Sequence, residues 1–267
     1  MSRFPKYLLT AVLLITASLT CKMSLAAEWP DMRIYGPFVC RADFALDQQH
    51  RLLGELGELQ TELVQTLQIA PAKEPIEVYL FHDEETYRRY LKRIYPTLPF
   101  RRAFFIKEHG LGRVFAYESS QFEADLRHEC THALLHAVLP VVPLWLDEGL
   151  ASYFEVPARN RSNKAPFFSS VLWNARFGIV PSIETLEKIG DVAAMAKAEY
   201  RDSWAWVHFM CQGPPGAHEE LVGYLQDLAA QKPPGLLSER LARRIPSLSA
   251  EFKASIKRAA SSQTAMK

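Results

Sequence analysis

Charge of one sign is what this chain most plainly lacks: 31 Lys and Arg stand against 30 Asp and Glu, a formal net charge of +1 over 267 residues. Nothing in that balance marks nucleic acid or an acidic surface as an obligate partner. Long apolar runs are missing beyond the N-terminus, so no later segment is fitted to span a bilayer. There is no internal repeat and no low-complexity block. Cysteine is scarce, four residues in all, which leaves room for little disulfide bonding. What is present is ordinary globular composition, 48% hydrophobic and 23% charged. The length suits one large domain or two small lobes.

The N-terminus reads differently from the rest. Arg3 and Lys6 precede an apolar run from Tyr7 to Leu19, followed by small residues at Ser24, Ala26 and Ala27. That is the layout of a secretory signal peptide over residues 1–26, with Ser24-Leu25-Ala26 as the small-x-small site. The expected location is therefore outside the cytoplasm, periplasmic or secreted. A retained membrane anchor is the competing reading, and a lipoprotein signal at Cys21 is disfavoured by the bulk of Thr20. Cleavage would remove Cys21 and leave Cys40, Cys130 and Cys211, so at most one internal disulfide forms. Cys40 with Cys211 is the expected pair, because Cys130 falls inside a helix. Buried free thiols are the alternative.

Leucines at 52, 56, 59, 63 and 67 mark an amphipathic helix within about 43–69. Residues 76–82 alternate as a strand, and the acidic run Asp83 to Glu85 opens a helix. Extended runs 102–108 and 113–118 flank His109-Gly110-Leu111-Gly112 as a hairpin. Ser120-x-x-Glu123 has the form of a capping box at the start of another helix. Pro140 and Pro143 end that helix and open the next, with Pro143 suited to a first turn. Beyond Pro157 the pattern is helical near 167–177, 182–197, 199–211, 217–231, 235–244 and 248–260. The expected class is α+β: an N-terminal α+β part to about 140, then a helical part over 141–267, within one domain spanning 27–267.

The chemistry concentrates in "RHECTHALLHAVLPVVPLWLDEGLASYFE". His128 and His132, four residues apart, project from one helix face a turn apart, where two ring nitrogens can take two corners of a zinc tetrahedron. Glu129 is rotated off that face and can lie beside a metal-bound water as general base. Chance alone yields such a pattern in about one in a hundred chains of this length. Glu148, sixteen residues past His132 on a following helix, makes it more specific. A carboxylate as third ligand completes a His₂Glu set and leaves one position open, as a catalytic zinc ion requires. Gly149, next in sequence, allows the two helices to approach closely.

On these residues the chain resembles the gluzincin metallopeptidases, the superfamily of thermolysin and the aminopeptidase N-type enzymes. It is more closely similar to the bacterial peptidase-MA-like secreted proteins, which join a His-Glu-x-x-His helix to a Trp-Leu-x-Glu-Gly-x-Ala helix. Here these read His128-Glu129-Cys130-Thr131-His132 and Trp145-Leu146-Asp147-Glu148-Gly149-Leu150-Ala151. The resemblance covers roughly residues 76 to 212. It implies a zincin-like fold with a small mixed sheet packed on the motif helix, one Zn²⁺ held by His128, His132 and Glu148, and Glu129 as base. It also implies that Tyr200, heading the helix of "EYRDSWAWVHFM", donates to the oxyanion, and that the strand "GRVFAYES" is the sheet edge that pairs with an extended peptide or protein substrate. Two departures stand out. The spacing from His132 to Glu148 is shorter than in thermolysin or the aminopeptidases. No Gly-Ala-Met-Glu-Asn-type segment is present to bind a free substrate N-terminus, so exopeptidase and endopeptidase action both stay open.

Other residues invite attention and are set aside. His136 continues the four-residue ladder, but a fourth protein ligand would close the site. Asp147 and Glu155 can be read as carboxylates orienting a histidine, but solvated surface carboxylates are the favoured reading. Trp145, Tyr153 and Cys130 read as core. The expected function is zinc-dependent peptide hydrolysis. The alternatives are a non-catalytic exported binding protein that keeps the peptidase fold, and an exported structural protein bearing the motif by accident. An intact Glu129 weighs against the first, and the Glu148 helix against the second.

Overall fold

The computed structural model describes residues 29–264, with side chains to residue 261. The expected signal peptide lies outside the described residues. The architecture is mixed α+β with a five-stranded sheet. The chain begins with two strands, β1 (Asp31–Tyr35) and β2 (Phe38–Ala42), followed by helix α1 (His50–Leu67). Next come β3 (Ile76–Phe81), α2 (Glu84–Ile94), β4 (Ala103–Glu108) and β5 (Leu111–Tyr117). The motif helix is α3 (Phe122–Val138), and α4 (Leu144–Phe154) follows it. The remaining described residues form no strand. Their helices are α5 (Ala158–Arg161), α6 (Phe168–Arg176), α7 (Ile183–Leu186), α8 (Lys197–Gln212), α9 (Pro215–Ala229), α10 (Leu237–Arg244) and α11 (Leu248–Thr264).

The strand order is β1-β2-β3-β5-β4. β3 runs parallel to both β2 and β5, while the outer strands β1 and β4 are antiparallel to their neighbours. Alternation along the strands splits the sheet's two faces cleanly. Val78, Leu80, Val114 and Ala116 join the leucines of α1 and the apolar side of α3 in the main core. Tyr79, Phe81, Phe115 and Tyr117 point the other way, into an aromatic layer with Trp29 and with Tyr87 and Tyr90 of α2. β3 is buried on both faces, as a central strand covered by helices must be.

Several expectations need correction here. β1 and β2 carry no expectation at all, and β1 shows why. Its apolar residues Met32 and Ile34 are 58% and 69% exposed, so its alternation points the wrong way for a half-buried strand. The hairpin turn is tighter than expected. His109 and Gly110 are its only loop residues, at φ 49° and 85°, and β5 starts at Leu111. Positive φ at both central positions gives the turn that matches strand twist. The hairpin's second strand, β5, is not the sheet edge, because it also pairs with β3; the edge is β4.

The capping box does not form. Gln121 is the N-cap residue, the Ser119 hydroxyl accepts from its backbone N–H, and Glu123 pairs instead with Arg51 at 2.6 Å. Pro143 caps α4 and is not in its first turn. The stretch 182–197 is not one helix but the single turn α7, a break through Gly190 and a 3₁₀ turn at Val192–Ala194. Cys40, Cys130 and Cys211 are all free thiols, so the expected bridge from Cys40 to Cys211 is absent. Cys40 stands close enough to Cys130 to influence its ionisation, whereas the Cys211 thiol faces Tyr153 and Arg161.

Glu148 is positioned by the burial of α4. Every residue from Trp145 to Phe154 is buried, so the helix has no solvated face. Gly149 sets its distance from α8: a Cβ there would lie 2.8 Å from the Ser203 carbonyl oxygen. The close approach that Gly149 permits is therefore to α8, not to the motif helix α3. No helix among the described residues is long and apolar enough to cross a membrane.

Candidate metal centre

α3, α4 and α8 bring the expected site residues together. His128 and His132 extend from α3 with ring centroids 4.9 Å apart. α4 sets Glu148 against both. The two Nε2 atoms are 3.2 Å apart, and Glu148 Oε2 lies 3.4 Å from His128 Nε2 and 3.6 Å from His132 Nε2. Three donors bound to one tetrahedral zinc at ordinary lengths would be separated by about 3.3 Å. The triangle fits that requirement on all three sides.

The other ring nitrogens are engaged by carboxylates. His128 Nδ1–H donates to Glu155 Oε2 at 3.0 Å, and His132 Nδ1 lies 3.1 Å from Asp147 Oδ1. The second contact has ion-pair distance, but the oxygen accepts no well-directed hydrogen bond. A carboxylate at each Nδ1 holds the proton there and turns the Nε2 lone pair into the triangle. This corrects the reading of Asp147 and Glu155 as solvated: their side chains are 12% and 17% exposed. His136 Nε2–H donates to the other oxygen of Asp147 at 2.9 Å and does not join the triangle.

Electron-rich atoms this close require a proton or a cation between them. Burial opposes charge on His128, but Glu148 and Glu155 outweigh it and push its pKa up to about 9. His132 is likewise raised, with burial overcome by Asp147 and Glu148. Burial would raise Glu148, yet the two imidazoles bring it down to about 2. Asp147 is lowered in the same way by His132 and His136. The cluster is a pocket for positive charge, and its two imidazoles and one carboxylate are ligands that suit zinc.

Glu129, the next residue along α3, is half-buried, and its side chain makes no hydrogen bond or ion pair among the described residues. Its charge is felt at His128, Tyr87 and Tyr200. Tyr200, in the first turn of α8, is also half-buried. Its pKa is raised by burial and by Glu148 and Glu129, with Arg101 acting against them. The structure thus brings His128, His132 and Glu148 together, with Glu129 and Tyr200 within electrostatic reach of them.

Sequence reasoning undervalued Asp147 and Glu155. The signal was present: α4 is otherwise so apolar that an acid on it has little water to face. No family model and no curated protein matches this sequence, so the geometry of the site carries the functional case.

Proposed function

We propose that the protein is an exported zinc metallopeptidase of gluzincin type, acting on peptide or protein substrates. The observation that carries this reading is the triangle of two imidazole nitrogens and one carboxylate oxygen at tetrahedral spacing, with a carboxylate beside each outer nitrogen. His128, His132 and Glu148 would hold the ion. Zinc, when bound, supplies a Lewis acid that polarises a carbonyl and eases the deprotonation of water. Glu129 takes the proton of the attacking water and passes it to the leaving amine nitrogen. Tyr200 keeps its proton and donates a hydrogen bond to the oxygen that gains charge as the carbonyl becomes tetrahedral. β4, the outer strand packed on α3, offers free backbone groups to an extended peptide.

The freedom of Glu129 favours catalysis over binding alone, since it has neither a ligand position nor a structural partner to explain it. The test is cleavage of a peptide library by the wild type and by Glu129→Gln. The variant is expected to fold, to keep its zinc, and to lose activity by about 10²–10⁴-fold. Cleavage that survives the substitution would remove Glu129 as the base. A zinc-loaded wild type that cleaves nothing and retains peptides would favour the binding protein.

A further inference from the structure

We propose that His136 is a positioning residue for the metal centre, holding Asp147 so that Asp147 in turn holds His132. This rests on reading His128, His132 and Glu148 as a metal site. Asp147 joins two rings through its two oxygens: Oδ2 accepts from His136 Nε2–H at 2.9 Å, while Oδ1 lies 3.1 Å from His132 Nδ1. Only the first is a well-directed hydrogen bond. The charge contact with His132 is only weakly directional, so the hydrogen bond on the opposite oxygen is what fixes the carboxylate against that ring. At 12% exposure, Asp147 has little water to take over that task.

His136 is itself fixed. Its ring stacks on Phe105 of β4, with centroids 5.6 Å apart and planes 19° from parallel. Lys107, on the same strand, donates to the His136 carbonyl oxygen at 2.5 Å. The outer strand thus braces His136, His136 holds Asp147, and Asp147 sets the ring of His132. Without the His136 donor, Asp147 can rotate. His132 can then turn about its Cβ–Cγ bond, which swings Nε2 out of the triangle.

His132, His136 and Asp147 also lie close enough together to hold a cation of their own. His132 opposes that use. Its Nε2 lone pair belongs to the triangle, and ligation through Nδ1 as well would require a doubly deprotonated ring.

Two substitutions in the full chain separate donor from packing. His136→Phe keeps an aromatic ring against Phe105 but cannot donate; His136→Gln loses the ring but can still reach Asp147 with an N–H. Zinc affinity is read by competition with a chromophoric chelator, and the unfolding temperature of the metal-free proteins serves as the control. His136→Phe is expected to weaken zinc binding by about 10–100-fold and His136→Gln by clearly less, with both metal-free variants folded at the temperature of the assay. Should His136→Phe not fold, His136→Leu takes its place. Wild-type affinity in the Phe variant, or equal losses in both variants, would overturn the proposal. So would a wild type that binds two zinc ions and a Phe variant that binds one, because His136 would then be a ligand. A wild type that binds no zinc would instead bring down the metal site itself, and this inference with it.

Discussion

At Tyr200 a half-buried phenol stands in the field of Glu148 and Glu129, with Arg101 opposing them. Burial and the two carboxylates raise its pKa, so the hydroxyl stays protonated, the state a donor needs. Tyr200→Phe should lower kcat by about 10²–10³-fold while KM and zinc content hold. A rise in KM alone, seen in steady-state kinetics, would make Tyr200 a substrate-binding residue instead. Legibility varied at this scale. His128, Glu129 and His132 belong to one local pattern on one helix, so their geometry follows from helical rise and rotation. The roles of Asp147 and Glu155 depend on how α4 crosses α3, which spacing along the chain does not encode. Residue types alone therefore left both looking like surface acids.

Among the elements, α4 and α8 matter most, because they pack on each other and carry Glu148 and Tyr200, whose pKa responds to the Glu148 charge. Gly149 is the position where α4 approaches the α8 backbone, and a methyl group there would lie 2.8 Å from the Ser203 carbonyl oxygen. Backbone cannot swing aside as a side chain can. Gly149→Ala should therefore cost about 1–3 kcal/mol, read as a lower urea midpoint, and should reduce zinc affinity by shifting Glu148. An unchanged midpoint would show that the two helices separate freely. The leucine stripe revealed α1, the acidic run Asp83 to Glu85 the start of α2, and the proline pair the break between α3 and α4. The capping box expected to open α3, by contrast, does not form. The sheet was less legible. A hairpin shows that β4 and β5 pair, but not which of them continues into the sheet. The parallel pairing of β5 with β3 is long-range and decides it.

Over the whole molecule, one buried apolar cluster runs from Phe38 and Cys40 on β2, through α3 and α4, to Phe252 and Ile256 on α11. The α+β class was legible because strand signals stop at the motif helix. The continuity of this main core across both parts was not, since it arises from packing across the seam. Deep in it lies His208, fully buried, donating through Nε2–H to the Ser162 carbonyl oxygen at 2.7 Å. Burial brings its pKa down to about 4, against an ordinary value near 6.5. The unfolded chain then binds a proton at higher pH than the folded one. Stability is complete above pH ~6.5 and is lost as pH falls toward ~4, by up to about 3 kcal/mol. His208→Gln removes the titration but can keep the donor. The urea-unfolding difference between wild type and variant should therefore narrow as pH falls from 7 to 5. A constant difference would mean that His208 does not titrate on unfolding.

The most direct test of the central claim is the zinc content of the purified protein, measured by elemental analysis for the wild type and Glu148→Ala. About one zinc per wild-type chain, largely lost from a folded Glu148→Ala, is the expected result. A folded wild type that takes up no zinc when offered it, or a Glu148→Ala variant that holds it as tightly, would contradict the His₂Glu site.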